Sequence, residues 1–207
     1  MAYVNLASAT KLNRATQIVN AIGSGGFFQL YTTTPPANPD LPPTGTLLAS
    51  LPLSLVPAVA SYGILGGVVT APGSNGSNGQ YALAINGDGT DAAGFFTVSG
   101  GVLASITISE VGNGYTTPPT FDGFGTAGLV GATAVPVMTA TIVFNDILTA
   151  TAVAGGNAGW ARVTDANNVG VIDFDVGPTN DFAVVMENTF VTQGGAVSCT
   201  AQILIEA

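Results

Sequence analysis

The stretch Leu47-Leu48-Ala49-Ser50-Leu51-Pro52-Leu53-Ser54-Leu55 alternates, with Leu47, Ala49, Leu51, Leu53 and Leu55 on one parity and Leu48, Ser50, Pro52 and Ser54 on the other. A period of two is that of a β-strand with one buried face. Pro52 has no N–H to give to a ladder, so it predicts an edge strand or a bulge. Upstream, Phe27-Phe28-Gln29-Leu30-Tyr31 follows Gly25-Gly26 and reads as a buried strand. Between them, residues 32–45 hold five prolines and must form an extended loop.

Further outward the chain keeps this character. Short apolar runs at 81–85, 94–98, 102–109 and 132–144 stand between glycine-rich turns, and Ile106 and Ile108 alternate as in a meander. Runs at 147–153, 159–164, 169–176, 182–186 and 197–205 have ordinary strand length, roughly five residues or more. Asp165-Ala166-Asn167-Asn168 is a turn between two of them. One helix is expected, from about Ser8 to Ile22. Leu12, Ala15, Ile18, Val19 and Ile22 recur at helical spacing, Ser8 is its expected N-cap, and Gly23 follows at the left-handed position. Leu12, Ile18 and Ile22 are expected on its buried side. Lys11 and Arg14 are expected on the polar side, facing outward toward a partner or an acidic neighbour.

These elements predict a mainly β protein, a Greek-key or jelly-roll-like β-sandwich with one N-terminal helix. A composition change divides it. Residues 1–59 and 141–207 form a discontinuous base, and the Gly-rich residues 60–140 form an inserted small β domain.

Composition removes several classes of function. The 207 residues include 28 Gly and 12 Pro, are 47% hydrophobic and only 7% charged, and carry a formal charge of −9. Lys11, Arg14 and Arg162 are the only cations, too few for the basic footprint of nucleic-acid binding. There is no His and one Cys, Cys199, which excludes His-based acid–base and nucleophile systems, most zinc sites and an intrachain disulfide. Cys199 is expected to be a small buried hydrophobe. The first residues lack the pattern of a signal peptide. The most apolar stretch, 46–60, is shorter than the ~20 residues of a membrane helix and contains Pro52 and Pro57. No cofactor, metal, membrane or enzymatic role is expected. An apolar chain with few charges instead predicts a surface covered by other protein chains.

Three weaker constellations need a structural reading beside the chemical one. Asn86-Gly87-Asp88-Gly89-Thr90-Asp91 is loosely like a Ca²⁺ loop, without the bidentate Glu of an EF-hand, and serves equally as a turn. Asp173 and Asp175 share a strand face, where a carboxylate pair could do glycosidase chemistry, although a solvent-facing side with Phe174 inward is the simpler arrangement. Trp160, Tyr115, Tyr81 and Tyr62 could stack on sugars if exposed together, whereas a lone Trp in a sandwich is usually core.

Two segments carry a resemblance. Residues 10–23, Thr-Lys-Leu-Asn-Arg-Ala-Thr-Gln-Ile-Val-Asn-Ala-Ile-Gly, with Gly26-Phe27-Phe28-Gln29-Leu30-Tyr31-Thr32, resemble a family of small virion proteins of tailed bacteriophages. Gly159-Trp160-Ala161-Arg162-Val163 and Asp173-Phe174-Asp175-Val176-Gly177 continue it, so it covers about residues 8–57 and 145–207. Val102–Ile108 and Gly112-Asn113-Gly114-Tyr115-Thr116-Thr117-Pro118-Pro119-Thr120 are similar to a strand and turn of β modules in phage fibres and capsid-surface proteins. The resemblance implies a capsid decoration (cement) protein on the virion surface, oligomeric and possible as a trimer, with the major capsid protein as partner. The alternative it implies is a tail-fibre or head-fibre adhesin whose inserted domain binds host glycan. The interface candidates are Lys11, Arg14, Tyr31 and Tyr115.

Overall fold

The computed structural model describes residues 6–179, 183–186, 188–199 and, for the backbone alone, 203–206. The fold is mainly β, with one N-terminal α-helix. It divides into two compact units. One comprises Thr16–Val59 and Val143–Ile203, and the other Ala60–Ile142 with Met1–Ala15 and Leu204–Ala207.

The helix runs Ser8–Ile22, as its periodicity requires. Its start differs by one residue from the expectation. The Ala7 carbonyl accepts from the Thr10 and Lys11 amides, so Ala7 holds the cap position, and the Ser8 hydroxyl donates to the Met138 carbonyl at 3.3 Å. At the other end Gly23 adopts φ 58° and its N–H donates to Val19 O, the left-handed cap the glycine predicted.

In the first unit, a five-stranded sheet runs in the order Val184–Val185, Gly170–Gly177, Trp160–Thr164, Phe27–Tyr31, Leu47–Pro52. All pairs are antiparallel except the first. Leu47–Pro52 is outermost, where a proline is tolerated. Alternation sends Phe28, Leu30, Ala161, Val163 and Phe174 to one face, all buried, with the Phe28 and Phe174 rings 6.5 Å apart. Gln29, Tyr31, Trp160, Arg162 and Asp173 fall on the opposite face. The expected strand at 147–153 is reduced to a bridge at Ile147 and the pair Ala150–Thr151. The amides of Leu148 and Val153 bond instead to the Pro52 and Leu48 carbonyls, touching the sheet at points without forming a ladder. Phe182 and residues 200–202 of the expected C-terminal strands lie outside the described residues. Among the described ones, Val184–Val185, Ala196–Val197 and Ile203–Glu206 are strands.

In the second unit, Gly79–Ala82, Thr90–Ser99 and Val102–Asn113 form one antiparallel sheet, and Ala84–Asn86 pairs with Thr120–Asp122. Two long strands, Ala58–Ser74 and Val130–Phe144, form a third sheet with Ile203–Glu206 in the order Ile203–Glu206, Val130–Phe144, Ala58–Ser74. The core contains Ile64, Leu83, Phe96, Val98, Leu103, Tyr115, Phe121, Phe124 and Met138. Phe124 meets Phe96 edge-on at 5.1 Å.

Candidate functional site

The strands Ala58–Ser74 and Val130–Phe144 contain no Asp, Glu, Lys or Arg. Along 67–74 and 132–138 their exposure alternates with the pleat. Val69, Ala132 and Ala134 turn inward and pack on the aromatic core. Val68, Thr70, Thr133, Val135 and Val137 turn outward, and the Thr70 and Thr133 hydroxyls meet across the pair at 2.8 Å. Val68 is 52% exposed, Val135 48% and Val130 63%, with Leu65 exposed beside them. The result is a solvent-facing strand surface of Val, Leu and Thr with no charge. Natural sheets usually protect such surfaces with Lys or other charges.

Three of the four interface candidates are not on a surface. Lys11 is 7% exposed, because it lies on the helix stripe of Ala15, Ile18 and Ile22 rather than on the side of Arg14. Its long aliphatic stem makes that position possible. Arg14 is exposed, as expected, and Leu12 and Ile18 are half-buried where full burial was expected; Ile22 is buried. Tyr31 is buried because its ring stacks on Trp160, with centroids 4.6 Å apart, and its hydroxyl donates to Gln29 Oε1 at 2.8 Å. Burial pushes its phenol above the ordinary value, against the pull of Arg162. Tyr115 is buried beneath the turn at Gly87 and Gly89, where an added Cβ would stand 3.0 and 2.5 Å from its ring. Burial, then the nearby Asp88 and Asp91, raise its phenol as well.

The remaining constellations also resolve into architecture. Trp160 is fully buried, and its indole N–H donates to the Thr32 and Thr44 carbonyls, pinning the ends of the proline-rich loop. With Trp160 and Tyr115 buried and Tyr62 and Tyr81 half-buried, the four do not form an exposed stacking platform. Arg162, 3% exposed, was not singled out for a local role by the sequence. Its Nε and Nη2 donate to the two Asp173 oxygens at 2.6 and 2.8 Å, and its Nη1 donates to Leu41 O at 2.9 Å. The hydrogen bond to Asp173 raises the Arg162 pKa further. The cation also lies 5.2 Å from the Trp160 ring centroid. Asp173 is therefore engaged in a structural pair, while Asp175 accepts from the Ala183 amide and Phe174 turns inward. Sequence spacing gave no cue to this pair, because Arg162 and Asp173 lie at unequal distances from the Asp165–Asn168 turn and face each other only through the register shift between Val163 and Thr164.

Asp88 spans two turns, accepting from the Thr116 amide at 3.2 Å and from the Thr116 hydroxyl. These bonds, the side-chain one foremost, hold the Asp88 carboxyl below its ordinary value. Its oxygens thus close the Gly112–Pro119 turn against the Asn86–Asp91 turn. Among the described residues no three His, Cys, Asp or Glu side chains are grouped to hold a metal, and no helix is long and apolar enough to cross a membrane. Cys199 is half-buried rather than buried. Comparison with known proteins returns no matching family model, no matching curated protein and no matching solved structure.

Proposed function

We propose that this chain is a structural protein of a tailed-bacteriophage virion, a capsid decoration (cement) protein whose work is adhesion. The observation that carries the reading is the charge-free outward side of the strands Ala58–Ser74 and Val130–Phe144, exposed at Leu65, Val68, Val130, Val135 and Val137. The resemblance of residues 8–57 and 145–207 to small virion proteins supplies the setting. Such a surface gains free energy by leaving water, at about 25 cal/mol per Å² of apolar area buried. A shell protein that spreads this gain over many copies offsets the outward pressure of packaged DNA. Its partners are then the major capsid protein and other copies of itself. The charge of −9 works in the same direction, because it repels nucleic acid and leaves adhesion to the uncharged strands.

The test is location and copy number. Electron microscopy of particles, with the ratio of this chain to the major capsid protein, is expected to show it on the head in hundreds of copies. A handful of copies at the tail, or none in the particle, overturns the reading.

A further inference from the structure

Four asparagines of this chain precede a glycine, in Asn75-Gly76, Asn78-Gly79, Asn86-Gly87 and Asn113-Gly114, all in the unit built on Ala60–Ile142. Such a pair can cyclise, because glycine has no Cβ to keep its amide nitrogen from the asparagine side chain. The reaction needs an available glycine N–H and a side-chain carbonyl carbon able to reach it. The fold withholds one or the other at three of the four pairs. The Gly76 amide donates to Gly101 O at 3.0 Å, and the Gly114 amide donates to Ser61 Oγ at 2.8 Å. The Asn78 side chain is turned to Gly101, whose amide donates to its Oδ1 at 3.1 Å, and Gly79 is paired with Val98 in a ladder. Asn86 differs. It is exposed at the end of the strand Ala84–Asn86, and Gly87 lies past that strand in an exposed turn. Among the described residues no hydrogen bond holds the Asn86 side chain.

We infer that Asn86-Gly87 is a self-modification site, the position at which the folded chain converts asparagine to aspartate and isoaspartate. The Gly87 nitrogen bonds to Asn86 Cγ, and the Cγ–Nδ2 bond breaks. The main-chain amide proton leaves with Nδ2 as ammonia. Solvent water then opens the cyclic imide at either carbonyl. One opening gives aspartate, and the other gives isoaspartate, with the main chain carried through Cγ. Either way a chain already at −9 gains a negative charge. The charge arrives close before Asp88, whose oxygens accept from the Thr116 amide and hydroxyl. Isoaspartate also adds a carbon to the main chain beside Gly87, where a single added Cβ would stand 2.8 Å from Pro119 and 3.0 Å from the Tyr115 ring. The product therefore loosens the bond by which Asp88 joins the two turns. The inference stands apart from the decoration reading and takes nothing from it.

The experiment incubates the purified full-length chain in warm, mildly alkaline buffer and measures the mass change of deamidation peptide by peptide. Isomerisation at Asp88-Gly89 leaves the mass unchanged and is not counted. Conversion at residue 86 is expected to exceed that at 75, 78 or 113 by at least about fivefold, the factor worth one ordinary hydrogen bond. In denaturant, where the same glycine follows each asparagine and no fold restrains it, the four rates are expected to converge. The Thr116 amide resonance is expected to shift in step with conversion at 86. Asn86→Gln, which has to close a larger and slower ring, is expected to remove conversion at 86 and leave the other three rates unchanged. Equal or faster conversion at 75, 78 or 113, no conversion at 86, or the same ranking in denaturant overturns the site. A Thr116 resonance that stays fixed while residue 86 converts overturns its effect on the two turns. Because the rates are read on the unaltered chain, the test does not depend on the variant folding.

Discussion

In the unit of Thr16–Val59 and Val143–Ile203, a cation and a carboxylate are drawn inside, Arg162 against Asp173, under a proline-rich loop that gives them the Leu41 carbonyl. In the unit built on Ala60–Ile142, the clasping carboxylate, Asp88, stays in solvent, and close approach is supplied by glycine, as where Gly89 lies against the Tyr115 ring. Both stretches are poor in charge, but they use it differently. A buried pair fixes strand register and makes each partner indispensable, because removing one leaves the other uncompensated. Glycine contacts fix register by steric fit, and there the damage comes from adding atoms. The contrast predicts which substitutions each unit will resist.

The largest effect is expected for Arg162→Ala. It leaves Asp173 without its partner and frees the loop carbonyl, and denaturant unfolding should show a loss of ~3–5 kcal/mol. A loss under 1 kcal/mol would remove the distinction drawn between the two units. Next, Ile22→Ala, at a side chain 1% exposed, should lower stability by ~2–5 kcal/mol. The half-buried Ile18, changed to Ala, should lower it by less, and the reverse order in thermal melts would misplace the helix. Gly89→Ala adds a Cβ 2.5 Å from the Tyr115 ring and 2.6 Å from the Asn113 carbonyl. That should destabilise by ~1–3 kcal/mol, with the Tyr115 ring resonances shifting. If Gly89→Ala is neutral, the glycines of this unit are turn formers and not packing contacts.

The smallest effect concerns pH. The folded Asp88 carboxyl lies below its ordinary value, so its contribution is present above the ordinary carboxylate range and disappears as pH falls through the depressed folded value. Asp165 behaves alike in the other unit, held down first by the Val169 amide and also by Asn167. Amide shifts of Thr116 and Val169 should both titrate at acid pH below the range of free carboxylates. Titration of either at the ordinary value would mean that turn is not closed by its aspartate.

What the sequence made legible was periodicity. The helix Ser8–Ile22 and the strands Phe27–Tyr31 and Trp160–Thr164 were read from it nearly residue for residue. The 17-residue strand Ala58–Ser74 was hidden because Gly63, Gly66, Gly67 and Gly73 look like turn punctuation. Gly67 is instead a packing contact, where a Cβ would stand 2.7 Å from Phe121 and 2.8 Å from Ile106. Lys11 was judged by its charge, while its place on the helix was decided by the stripe it shares with Ile22. Tyr31 and Tyr115 are interface candidates that the structure buries, and only the cross-strand register and the turn packing reveal the stack and the turn that cover them. The uncharged surface was foreseen as a property of composition. Which strands carry it depended on pairings distant in sequence.

Trp160 is the chain's one tryptophan, sealed in one unit with its N–H held by both ends of the proline-rich loop. Nature has thereby placed a single fluorophore at the point where that loop is tied down. Its emission should be that of an indole shut off from water and should move to longer wavelength only when this unit opens. Melting of the glycine-packed unit would pass unseen in that channel and would have to be followed by circular dichroism. Disagreement between the two optical signals during unfolding would then count the cooperative steps directly.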